Sequence, residues 1–112
     1  MEEDERQLLL TAAWLFMRHG RRDRALGVCE ALHEDDPGDG TAAAALAELL
    51  LERGEAARAV EVLRSADFPQ GLLHAEAVLE TRALRMMGRG AEAHSRWNRY
   101  LESRKGTERK WV

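Results

Sequence analysis

The residues that could do chemistry are few, and their spacing decides what they can do. Cys29 and His33 stand four apart, so a helix would bring thiol and imidazole to one face, as a nucleophilic pair requires. Cys29 also falls where two helices are expected to meet, and there a cysteine serves as a small buried hydrophobe. The run His33-Glu34-Asp35-Asp36 holds metal-capable groups, but His19, His74 and His94 are scattered and no ligand spacing emerges. Gly38-Asp39-Gly40 is far short of a phosphate-binding loop, and Asp39 reads as a helix cap. No catalytic constellation results. The expectation is a chain that is not an enzyme, with no catalytic residue, metal or cofactor; an enzyme or redox protein centred on Cys29 is the remote alternative.

Those residues sit on a repeat. Gly20, Gly54 and Gly88 are thirty-four residues apart, and Ala25, Ala59 and Ala93 follow them at a constant five. Thirty-four is the period of the tetratricopeptide repeat, a helix–turn–helix unit. Glycine ends the first helix of each unit in the left-handed conformation, where any other residue meets a Cβ penalty. The acids Asp23, Glu55 and Glu92 come next, at the positive end of the second helix. The alanine then marks a close approach of two helices, and Cys29, Leu63 and Trp97 fill the space four residues on.

The spacing predicts six helices at about 4–19, 22–35, 41–53, 55–66, 70–87 and 89–104. The fold class is therefore all-α: three tandem helical hairpins (repeats about 6–39, 40–73 and 74–104) stacked as a short solenoid with a concave groove. Residues 1–104 form one domain, and 105–112 a short flexible tail. Leu9, Ala12, Ala13 and Phe16 take packing slots in repeat one; Ala43, Leu46, Ala47 and Leu50 take them in repeat two. Repeat three diverges, since Glu80 stands where a leucine is expected. Such arrays end in a polar capping helix, and only a short tail follows Tyr100. A partner is a candidate to cover the last hairpin.

Composition narrows the function. A formal charge of −3, with fifteen of seventeen basic residues arginine but interleaved with acids, argues against nucleic acid. The basic stretch Arg104 to Lys110 reads as a frayed terminus. One cysteine excludes an internal disulfide and points to a reducing compartment. No stretch is long enough for a membrane span, and the acidic start Met1-Glu2-Glu3-Asp4-Glu5 is unlike a signal peptide. The expected location is the cytoplasm.

In such an array the first helix of each repeat lines the concave face. The inward positions are Leu10, Thr11, Trp14 and Met17; then Ala44, Ala45, Glu48 and Leu51; then Val78, Leu79, Arg82, Arg85 and Met86. Leu10, Trp14 and Met17 form a second apolar stripe beside the packing stripe, more than hairpin packing explains. That favours a groove for an amphipathic helix or extended apolar segment, or a homodimer interface. Phe16 and Trp97 count as core.

The run Gln7-Leu8-Leu9-Leu10 through Trp14, then His19-Gly20-Arg21, Arg24-Ala25 and Ala31-Leu32 to Pro37, resembles the first hairpin of the Y-type (SctY/YscY) chaperones of type III secretion systems. Ala93-His94 with Tyr100-Leu101-Glu102 is similar to that family's last helix. The resemblance implies a bacterial cytoplasmic chaperone that binds a small secreted partner, the X-type component, as a heterodimer. It also implies delivery of that partner to the large V-type export-gate protein. A close variant is a repeat chaperone for translocator or needle subunits. From another class, a self-associating scaffold or adaptor, dimeric through the uncapped third repeat and the second stripe, is the alternative.

Overall fold

The computed structural model describes residues 1–109 and is helical throughout, with six α-helices among the described residues. They are α1 (Glu3–Arg18), α2 (Arg22–Asp35), α3 (Gly40–Glu52), α4 (Ala56–Ser65), α5 (Leu73–Met86) and α6 (Gly90–Arg109). A single 3-10 turn at Gln70–Leu72 precedes α5. Consecutive helices pack as three antiparallel hairpins, α1/α2, α3/α4 and α5/α6, and each hairpin stacks on the one before it through α2/α3 and α4/α5. The radius of gyration is 14.9 Å, against about 13 Å for a compact chain of this length, in keeping with a short solenoid.

The three hairpin turns are the same turn. Gly20, Gly54 and Gly88 have φ of 72°, 79° and 75°. In each, the glycine N–H donates to the carbonyl three residues back, that of Met17, Leu51 or Arg85. The following N–H reaches the carbonyl five residues before it: Arg21 to Phe16, Glu55 to Leu50 and Arg89 to Leu84. This double closure is the Schellman motif, and it satisfies two carbonyls the helix end would otherwise leave unpaired.

The connections between repeats are held differently. The Asp39 side chain caps α3 by accepting from Thr41 N–H at 3.0 Å and Ala42 N–H at 3.2 Å. The two inter-repeat loops also touch, because Asp67 N–H donates to the Gly38 carbonyl at 2.9 Å. Gly40 permits that approach: a Cβ there would lie 2.5 Å from the Asp67 carbonyl oxygen. The Asp67-Phe68-Pro69 break ends α4 at Ser65, so α4 is the shortest of the six α-helices.

The core runs along the centre of the array. Leu46, Leu49, Leu50 and Leu63 are fully buried with the alanines Ala25, Ala43, Ala47, Ala59 and Ala93 between them. Small residues let the helices approach, and the leucines then interdigitate across the gap. Helix α6 continues to Arg109, five residues past the expected end. The rest of the expected tail, Lys110 to Val112, lies outside the described residues. The outer surface of α6 is formed by Ala91, His94, Ser95, Asn98, Arg99 and Glu102, all exposed. Among the described residues that surface is polar, as the outer face of a capping helix is.

Candidate functional site

An apolar recess lies between the first helices of repeats one and two. Leu10, Trp14 and Met17 of α1 form one wall, Thr41 and Ala45 of α3 the other, and the cleft encloses about 380 Å³. Gln7 and Thr11 stand at its rim and Ala13 at its floor. Ala45 makes the cleft: a larger residue there would fill the space facing Trp14. The Trp14 ring is 54% exposed, and the Arg18 guanidinium sits over it at 4.8 Å, a cation–π contact that holds the ring without burying it. An aromatic of this size left open beside an apolar recess is unusual on a water-facing helix.

The concave surface changes character along the array. Trp14, Glu48 and Arg82 occupy equivalent positions in the three first helices. Glu48 and Arg82 pair with each other at 3.2 Å across α3 and α5. Beyond them Arg85 and Met86 are exposed, while Val78 and Ala44 are half-buried. The surface thus runs from apolar at repeat one to charged at repeat three.

Two expected groove residues belong elsewhere. Leu51 and Leu79 are buried members of the core. Helix α3 has a hairpin on each side, so Leu51 is covered where its equivalent Met17 is not. Leu79 is taken up where α5 packs on α3. Equivalent positions do not have equal neighbours, because α3 is packed on more sides than α1. Trp97, expected as core, is only half-buried; it meets Tyr100 at 5.4 Å and His74 at 6.0 Å between ring centroids.

The pair that could have done chemistry is not assembled. Cys29 is fully buried, and burial pushes its thiol up to about 11, so the nucleophilic thiolate is scarce at neutral pH. The His33 Nδ1 is buried without a hydrogen-bond partner, so it does not activate Cys29. Among the described residues no group of three His, Cys, Asp or Glu is placed to hold a metal ion.

Two ionic clusters were not legible in the sequence. Arg6 is buried, and its guanidinium joins Asp35 at 2.7 Å, the Leu32 carbonyl at 3.4 Å and the Asp39 cap. One side chain therefore ties α1, the end of α2 and the start of α3. Burial alone would raise the Asp39 carboxyl, but the Arg6 guanidinium and the Ala42 and Thr41 N–H groups outweigh it and hold it below its ordinary range. In repeat three the buried Glu80 joins Arg64 of α4 at 3.0 Å and Arg96 of α6. Glu76, one turn before it, is pushed up by burial, against the pull of Arg96.

The tetratricopeptide repeat family matches residues 16–79, more than half of the chain. The chain belongs to that family. No curated protein matches it. Tetratricopeptide repeats are helical scaffolds that mediate binding to protein partners, and the cleft lies on the face such arrays present. No helix among the described residues is long and apolar enough to cross a membrane.

Proposed function

We propose that this chain is a peptide-holding chaperone of a type III secretion system, acting in the bacterial cytoplasm. It binds the small X-type secreted component in the α1/α3 cleft and brings it to the V-type export gate. The observation that carries the reading is the half-exposed Trp14 beside a recess walled by Leu10, Met17 and Ala45. The resemblance of the first hairpin and last helix to Y-type chaperones supplies the partner class. The gradient along the concave face supplies the partner's chemistry. A helical segment would seat bulky apolar residues in the recess and direct a carboxylate toward Arg85. Covering such a segment keeps it soluble, and mass action then stabilises both molecules.

The test is co-expression with the X-type component and isolation of the complex. Trp14→Asp is expected to keep its helical content and weaken binding by about 100-fold, as loss of a central aromatic anchor does. A complex that forms equally well with Trp14→Asp would sink the groove reading. A wild-type chain that never binds the X-type component would remove the secretion assignment and leave a repeat adaptor.

A further inference from the structure

Helix α1 has a second exposed apolar face that the concave cleft does not use. Leu8 is 70% exposed and Leu15 44%, with half-buried Ala12 between them. Gln7, Thr11 and Arg18 separate this strip from Trp14 around the helix. The repeat register says what the strip is built to meet. Shifted by one repeat, Leu8, Ala12 and Leu15 become Ala42, Leu46 and Leu49, all buried in α3. Shifted again they become Glu76, Glu80 and Ala83, and Glu80 bonds to Arg64 on the preceding hairpin. This is the stacking face of each first helix, the side laid against the repeat before it. On α1 none of the described residues covers it. Val28 tells the same story on α2, half-buried where its equivalent Val62 is buried.

The described outer surface of α6 is polar and does not match this strip. A head-to-tail filament is thereby disfavoured. The strip is instead complementary to itself. Helix α1 carries Glu3, Asp4 and Glu5 in its first turn and Arg18 in its last, with His19 just beyond. Laid antiparallel on a second copy, Leu8 comes level with Leu15 of that copy. The same register brings Asp4 level with its His19, both beside the strip and both exposed. Acid meets base at both ends, and leucine meets leucine on both sides of the two-fold axis.

We propose that the free protein is a two-fold homodimer joined through the Leu8–Ala12–Leu15 strip of α1, with both concave clefts left open. The contact covers the face that α3 and α5 lay against the hairpin before them, and it is independent of what the cleft binds.

Sedimentation over a range of concentrations tests this. The wild-type chain is expected to dimerise, and Leu8→Glu to weaken the dimer by about 100-fold while staying helical. Leu8→Ser serves as the milder second variant, its side chain being largely in water already. Trp14→Asp is expected to leave the dimer intact. The orientation has its own test in two charge-changed chains, Asp4→Lys and His19→Glu. Each alone removes the acid–base pair and is expected to weaken the dimer, while their mixture recovers a heterodimer. A monomer at every concentration, or a dimer indifferent to both Leu8 variants, overturns the proposal. So does a dimer lost with Trp14→Asp, which would place the second copy in the cleft. A mixture that fails to pair overturns the antiparallel arrangement.

Discussion

The two junctions between repeats are built from the same positions and opposite chemistry. Between repeats one and two, the stacking face of α3 is Ala42, Leu46 and Leu49, dry and fully apolar. Between repeats two and three, the same face of α5 is Glu76, Glu80 and Ala83, with Arg64 and Arg96 closing on Glu80. An apolar contact is favourable wherever it is buried. An ionic one stabilises only while both partners are present, because removal of either leaves a charge without a partner. The first junction therefore holds the array together. The second fixes the position of the last hairpin at little net gain.

Several substitutions would break that contrast. The largest effect is expected from Leu46→Ala, which opens a cavity at the first junction and costs about 3 kcal/mol in denaturant unfolding. A loss under about 1 kcal/mol would mean the first junction is not the main source of cohesion. Glu80→Ala leaves the partly buried Arg96 with only the longer Glu76 contact at 3.7 Å, and about 2 kcal/mol of loss is expected, discounted for that remaining partner and for exposure. The double change Glu80→Leu with Arg96→Val rebuilds the Leu46/Val62 pairing of repeat two. It is expected to recover at least the wild-type stability, and a further loss would show the ionic cluster to be worth more than an apolar core.

Acid separates the junctions by sign. The Asp39 carboxyl is held low in the fold, so its contribution is present above its unfolded value and lost as the pH falls through its folded one. Asp39→Ala is expected to cost about 1–2 kcal/mol at neutral pH, by removing the α3 cap and a partner of Arg6. That cost should shrink toward strongly acid pH. Glu76 is the reverse case: its folded value is raised, so the stability it contributes is lost as the pH rises through that value. Glu76→Gln is accordingly expected to stabilise the protein at neutral pH by well under 1 kcal/mol, with no gain in acid. Unfolding curves at two pH values check both, and parallel behaviour of the two variants would contradict the assignment.

The regular part of this architecture was readable because each signal is local. Three glycines at one period mark three identical turns, and the alanines five residues later mark the close packing they precede. The break at Asp67-Phe68-Pro69 shortens α4 as its composition requires. What escaped depends on residues far apart in the chain. Arg6 finds Asp35 and Asp39 about thirty positions away, and no pattern in α1 announces it. Glu80 reads as a misfit until Arg64 and Arg96 are brought to it. Leu51 and Leu79 share slots with groove residues of other repeats, yet both are buried in the core. Leu8 and Leu15 look like any core leucines; only the register with buried Ala42 and Leu49 marks them as a stacking face that none of the described residues covers.

The central claim is that a partner segment lies in the cleft between α1 and α3. It is tested most directly by placing a photoreactive residue at Ala45, on the wall facing Trp14, and another at exposed Glu61 on α4. On irradiation of the isolated complex with the X-type component, Ala45 is expected to cross-link to the partner and Glu61 to give no adduct. Cross-linking from Glu61 alone would place the partner outside the cleft and contradict the account.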